Sequence, residues 1–266
     1  MDIQSKHNIK IIEPTNPIGT IVFANGFGTD QSIWTDVVTH FKEKYKIVLF
    51  ENMGSSKSDL NYYSPNKYDS LHMYSRDLIE ICKKLNLNNS ILVGHSVGGM
   101  IGLLAAVKEP SLFSHLVMIG SSPRYLNDTN YIGGFDNKDL EGLFESMRNN
   151  YFAWVSGFAQ AAMNTPDKPQ LSEYFAKSLG AIQPDIAVSV ARTIFYSDHR
   201  NDLPHVKIPT LIMKTKEDIA VPPQVPEYMS EKIAGSKKIQ INAKGHFPHL
   251  SSPNEIIAAL ENYLPN

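Results

Sequence analysis

Short apolar runs alternate along this chain with stretches whose apolar residues recur every three or four positions. The runs at Thr20–Ala24, Lys46–Phe50, Ser90–Val93 and Leu116–Ile119 are rich in Ile, Val, Leu and Phe. Their length and composition predict buried strands, and Ile9–Ile12 is a shorter candidate for a first strand. Between them, Ile33, Val37, Val38 and Phe41 predict a helix over 32–42. Leu71, Tyr74, Leu78, Ile81 and Leu85 predict another over 70–85. Gly99 to Val107 is apolar on every face and stops before Pro110, which predicts a buried helix. Strands alternating with helices in this way predict an α/β fold with a mostly parallel sheet covered on both faces.

The alternation lapses between Arg124 and Asp198. Here Leu140, Leu143, Phe144 and Met147 keep helical spacing, as do Tyr151, Trp154, Val155, Phe158 and Ala162. Leu171, Tyr174, Phe175 and Ser178 form a third face, and Ile186, Ala187, Val190, Ala191 and Ile194 a fourth. The pattern predicts four helices over 124–198, inserted in a core made of 1–123 and 199–266. An insertion that directly follows a parallel strand emerges at the sheet's C-terminal edge, where it can serve as a lid. The core pattern then resumes with strands at Thr210–Met213 and Lys238–Ile241 and helices at Pro223–Ile233 and Asn254–Leu264.

Bulk properties narrow the functions open to such a fold. A chain of 266 residues, 42% hydrophobic and 20% charged, can bury a sizeable core. Its net charge of −2 and lack of a long basic run argue against nucleic-acid and polybasic membrane partners. Cys82 is the single cysteine, so no internal disulfide forms. The start Met1-Asp2-Ile3-Gln4-Ser5-Lys6 shows no apolar leader, and the apolar stretch 91–107 is broken by His95, Ser96 and glycines. These features predict a cytoplasmic protein without a membrane span, with a monomer as the default.

The most informative stretch is Gly94-His95-Ser96-Val97-Gly98, set between a predicted strand and a predicted helix. Gly-x-Ser-x-Gly in that setting is the signature of a nucleophile elbow, a tight turn that lifts the serine hydroxyl clear of the sheet at a helix N-terminus. A serine needs a base, and in this architecture an acid and then a histidine follow it in the chain. His246, in Ala243-Lys244-Gly245-His246-Phe247-Pro248 past the last strand, is the candidate base. His249 is a rival better suited to a solvent or capping role. Asp218 is the candidate acid, with neighbouring Glu217 as the alternative. The amide of Val97 and one from the loop 25–28, that of Phe27, are candidate oxyanion donors. His-Glu-x-x-His, Cys-x-x-Cys and P-loop motifs are absent, so neither metal nor cofactor is expected.

Taken with Gly26-Phe27-Gly28-Thr29-Asp30-Gln31-Ser32-Ile33-Trp34, Tyr125-Leu126-Asn127-Asp128, Gly133-Gly134-Phe135, Ser197-Asp198-His199-Arg200 and Gly245-His246-Phe247-Pro248-His249-Leu250, this stretch resembles the α/β-hydrolase family. Within that family the resemblance is to the RsbQ-like bacterial proteins, relatives of the plant strigolactone and karrikin receptors. It implies Ser96, Asp218 and His246 as a triad, Phe27 and Val97 as oxyanion amides, and a four-helix lid. It implies a pocket lined by Phe27, Tyr125, Phe135, Leu143, Trp154, Phe158, Phe195 and Ile219, suited to a small hydrophobic ester or lactone. It also implies a signalling role, with a PAS-domain PP2C-type phosphatase of a sigma-B stress pathway as partner. A metabolic carboxylesterase is the alternative. Asn25 stands where many hydrolases have His, Glu51 where Asp is usual and Ser56 where Gly is usual.

Overall fold

The computed structural model describes residues 2–264. The outermost positions of the expected core segments, 1 and 265–266, lie outside it. In chain order the core begins with α1 (Ile3–His7), β1 (Lys10–Ile12), β2 (Thr20–Ala24), α2 (Thr35–Phe41), β3 (Lys46–Leu49), α3 (Leu71–Lys84), β4 (Ser90–His95), α4 (Val97–Lys108) and β5 (Phe113–Ile119). Four helices follow: α5 (Asn137–Asn149), α6 (Tyr151–Met163), α7 (Pro169–Gly180) and α8 (Pro184–Phe195). The chain closes with β6 (Thr210–Lys214), α9 (Gln224–Lys232), β7 (Lys237–Gln240), α10 (Pro248–Ser251) and α11 (Pro253–Tyr263).

The seven strands form one sheet in the order β1-β3-β2-β4-β5-β6-β7. Every pair is parallel except β1 with β3. Strands apolar at successive positions take the middle, where both faces are covered, and all six residues of β4 are buried. The lysine-bearing strands β1 and β7 form the edges, where Lys10 and Lys237 reach solvent and discourage further pairing. α4 is buried from Val97 to Ala106, as its uniformly apolar sequence requires. α3 buries only one stripe, with Leu71, Tyr74, Leu78 and Ile81 inward and Arg76, Glu80 and Lys83 outward. Ser70 caps it, accepting from the His72 amide.

Several elements depart from the pattern read above. The helix expected over 32–42 opens as a 3-10 turn at Gln31–Trp34 before α2 begins, with Asp30 as its cap. The short helices α1 and α10 carry no apolar periodicity. α1 is held instead by a buried ion pair, Lys6 Nζ to Asp77 Oδ1 at 2.6 Å, and Tyr68 donates to the other Asp77 oxygen at 2.8 Å. Removing one partner of such a pair leaves a buried charge unpaired, at a cost of about 3–5 kcal/mol.

The insertion is tied at its neck. Arg124 and Asp198 form an antiparallel bridge, and their side chains pair at 2.7 Å. Arg200 pairs with both Asp198 and Asp128, at 2.7 and 2.9 Å. Within the insertion, Asp136 and Asp139 form a capping box on α5, Asn150 caps α6, and Pro169 and Pro184 start α7 and α8. Among the described residues no helix is long and apolar enough to cross a membrane.

Candidate active site

Ser96 sits where β4 passes into α4 with φ 53° and ψ −125°, a conformation that costs a non-glycine residue of order 1–3 kcal/mol. The flanking glycines allow it. A Cβ on Gly94 would lie 2.5 Å from the backbone of Gly99, and one on Gly98 would lie 2.4 Å from the carbonyl oxygen of Ala24 in β2. The Ser96 amide donates to the Ile119 carbonyl at 2.8 Å, which anchors the turn to β5.

The fold brings His246 and Asp218 to this turn. His246 Nε2 lies 2.9 Å from Ser96 Oγ, and His246 Nδ1 lies 2.8 Å from Asp218 Oδ2. A carboxylate at Nδ1 keeps the proton there, so Nε2 presents its lone pair to the serine hydroxyl. Asp218 is fixed in turn by the amides of Ala220 and Val221, which donate to Oδ1 at 2.9 and 3.2 Å. Glu217 faces away, pairing with Lys244 at 2.7 Å and accepting from Asn164.

The main chain of His246 is gripped from two sides. Its amide donates to the Ala162 carbonyl at the end of α6 at 2.7 Å, and its carbonyl accepts from His95 Nε2 at 2.7 Å. Gly245 permits the close approach to α6: its φ is +84°, and a Cβ there would lie 2.0 Å from the Met163 carbonyl oxygen. The inserted helices therefore help to place the imidazole.

His249 does not take the solvent or capping role expected from sequence. It is fully buried, stacked on Trp34 with ring centroids 4.4 Å apart, and packed against His95 at 4.4 Å. Burial pushes its pKa down to about 3, and burial also holds His95 well below the ordinary histidine range. Both rings are neutral members of the core.

The loop carrying Phe27 lies against Ser96: a Cβ on Gly26 would be 3.3 Å from Ser96 Cβ. Val97 opens α4, and the first amides of a helix have no partner within it. Asn25 and Glu51, two of the departures noted in the sequence, prove to be partners. Asn25 Oδ1 accepts from Trp34 Nε1 at 2.8 Å, and its Nδ2 donates to the Phe50 carbonyl at 3.1 Å and to Glu51 Oε2 at 3.3 Å. Glu51 also accepts from the Gln31 amide and the Ser55 hydroxyl. Burial pushes the Glu51 carboxyl up to about 7. This network pins both ends of the loop.

A narrow cavity of about 30 Å³ opens beside Phe27 and Val97. Leu71 and Tyr74 from α3 line it, with Ile182, Val190 and Ile194 from the insertion. Of the expected pocket residues, Phe27 alone reaches this cavity. Tyr125 is buried near Ser96, and burial raises its pKa. Its ring packs on Phe195 at 4.9 Å, and Phe135 packs on Phe195 at 5.5 Å. Trp154 stacks on Phe158 at 5.0 Å, and the row continues through Phe175 to Phe247, beside His246. Leu143 is half-buried on α5. Ile219 is 47% exposed: the turn that aims Asp218 inward faces the next side chain outward. The inward faces of α3 and α8 were visible as periodicity, but not that they would meet over the Phe27 loop.

A parallel sheet, a serine on a strained strand-to-helix turn and an inserted helical layer define a class, and comparison with known proteins places the chain in it. The protein belongs to the alpha/beta hydrolase fold family, whose model matches residues 19–253. It is 41% identical over 259 residues to karrikin insensitive 2 receptor CA of Petunia hybrida, covering 97% of this chain and 95% of that one. It is 38% identical over 266 residues to strigolactone esterase D14 of Arabidopsis thaliana, covering 98% and 99%. Among solved structures, a hydrolase from Oleispira antarctica superposes with a TM-score of 0.94 at 32% identity, covering 98% of this chain and 96% of that one.

Proposed function

We propose that the protein is a serine hydrolase for a small hydrophobic ester or lactone. The observation that carries this reading is the hydrogen-bonded line from Asp218 through His246 to Ser96. Ser96 Oγ attacks the acyl carbon while its proton passes to His246 Nε2. The negative charge that develops on the carbonyl oxygen is met by the amides of Phe27 and Val97. Collapse breaks the acyl–oxygen bond, and the leaving alkoxide takes the proton from His246. Water, deprotonated by the same nitrogen, then cleaves the acyl-enzyme. Asp218 stays ionised throughout and stabilises the imidazolium.

The inserted helices over 124–198 act as a lid, with Tyr125, Phe135, Leu143, Trp154, Phe158 and Phe195 supplying apolar surface to the ligand. The cavity beside Phe27 and Val97, about 30 Å³, is far below the roughly 300–1,000 Å³ of ligand pockets. Lid helices or side chains must therefore move to admit a substrate. That supports a second reading: an RsbQ-like regulator whose ligand-dependent lid engages a PAS-domain PP2C-type phosphatase in the cytoplasm. A relative named for a receptor is in keeping with it.

Pre-steady-state hydrolysis of a short-chain nitrophenyl ester series, with Ser96→Ala as control, tests both. Fast multiple turnover lost in the variant supports a metabolic esterase. A stoichiometric burst with slow turnover supports the sensor. Unchanged turnover in Ser96→Ala would remove Ser96 as nucleophile.

A further inference from the structure

Away from Ser96, the fold assembles a cluster that no sequence motif announces. His72 lies in the first turn of α3, while His199 and Asp202 lie just after the insertion re-enters the core. One ligand atom from each lies within 4.8 Å of the other two. We propose that these three side chains bind a single divalent cation of the zinc, cobalt and nickel class. The bound ion would tie α3 to the exit of the inserted helices.

The donor set selects the ion. Two imidazoles and one carboxylate suit zinc and its neighbours, whereas magnesium and calcium prefer all-oxygen shells. Geometry is close to what such an ion needs. His199 Nδ1 and Asp202 Oδ2 are 3.0 Å apart, and two ligands at about 2.1 Å on a tetrahedral ion are separated by about 3.4 Å. His72 meets His199 edge to face, with ring centroids 5.2 Å apart, and being exposed it is free to turn toward the ion.

Two of the ligands are well held. His199 is buried, and its amide donates to the Pro123 carbonyl at 2.8 Å. The Asp202 amide donates to the His199 carbonyl at 3.1 Å. Both histidines also line a surface cavity of about 570 Å³ between α3 and α8, which leaves room for water or a small anion at the open coordination position. Arg192 lines the same cavity, but its guanidinium lies 5.1 Å from the ring centroids of both Phe144 and Tyr196.

The site joins α3 to the segment that leaves the inserted helices just past α8. α8 ends at Phe195, and its Val190 and Ile194 line the small cavity beside Phe27.

The test uses chelator-stripped whole protein titrated with zinc by calorimetry and with cobalt by visible absorption, followed by hydrogen exchange with and without zinc. The expected result is one ion per chain, with affinity reduced at least about tenfold in His72→Ala and in Asp202→Asn. His72 is exposed, so His72→Ala should melt like the parent without metal, which separates lost ligation from lost fold. Zinc should slow exchange both at the start of α3 and across 199–203. Absence of saturable zinc binding overturns the proposal, and so does an affinity unchanged from the parent in either variant. Binding that protects only one of the two segments overturns the bridge.

Discussion

His95 donates its Nε2 hydrogen to the main-chain carbonyl of His246 at 2.7 Å, so the residue before the proposed nucleophile holds the proposed base in place. His95→Phe keeps an aromatic ring but removes the donor, leaving a buried carbonyl unsatisfied at a cost of about 1–3 kcal/mol. Freed on that side, the His246 loop can drift from Ser96. A displacement of this kind should lower kcat on a nitrophenyl ester roughly 10- to 100-fold with little change in KM. Steady-state kinetics beside a thermal melt of the same variant checks both parts. Unchanged kcat would show that the Ala162 contact alone suffices.

Glu51 gives stability a distinctive pH dependence. Its carboxyl is pushed by burial from an ordinary 4.5 up to about 7. Between those values the folded protein keeps a proton that the unfolded chain has released, so raising the pH disfavours folding. The group's contribution is full below the unfolded value and is lost as pH rises through about 7, on the order of 3 kcal/mol across the interval. Urea unfolding of the parent and of Glu51→Gln from acid to mildly alkaline pH isolates this group. The parent should lose stability relative to the variant as pH rises. A pH-independent difference would mean that Glu51 titrates as an ordinary carboxylate.

Two glycines should respond oppositely to alanine. Gly98→Ala places a methyl group 2.4 Å from the Ala24 carbonyl oxygen, where backbone on both sides has no room to yield. We expect a loss of about 3 kcal/mol or more, or failure to accumulate folded protein. Gly142, exposed on α5, has nothing within 4 Å of an added Cβ. Gly142→Ala should stabilise by about 0.5–1 kcal/mol through helix propensity. Chemical denaturation of the pair measures both signs.

At the neck of the insertion, Asp198 accepts from Arg124 at 2.7 Å and from Arg200 at 2.7 and 2.9 Å. Exposed pairs contribute little, so Asp198→Asn should lower global stability by only about 1 kcal/mol. Its larger effect should be local. Limited proteolysis should cut within 124–198 faster than in the parent, because the crossing of the two segments there is held by that carboxylate. Equal cleavage rates would show that helix packing alone holds the insertion.

Much of this arrangement can be read in the residues before any coordinates. Central strands declare themselves by apolar runs, and Ser96 and His246 by glycines beside strands, because tight turns at close-packed backbone tolerate little else. The sequence also left Asp218 and Glu217 as alternatives, and the structure gives Asp218 to His246 and Glu217 to Lys244. Polar residues that are buried by pairing leave no such trace. His249 reads as a solvent or capping group until Trp34 is set beside it, and nothing in the pattern marks Lys6 and His7 as buried beside Asp77. Helical spacing likewise shows that Trp154, Phe158 and Val190 face inward, but not whether that face meets a cavity or another helix.

The bond between Ser96 and His246 spans 150 residues of chain. Non-local pairing of this kind forms late, after most of the loop-closure entropy has been met. On a ribosome the elbow and its supporting strands emerge early, the inserted helices next, and the imidazole only near the end of synthesis. The stretch that carries Ser96 therefore leaves the ribosome long before the imidazole placed to take its proton. In the proposed mechanism the proton acceptor arrives with the last strand and loop, so reaction of Ser96 with a fluorophosphonate should report completion of the whole fold.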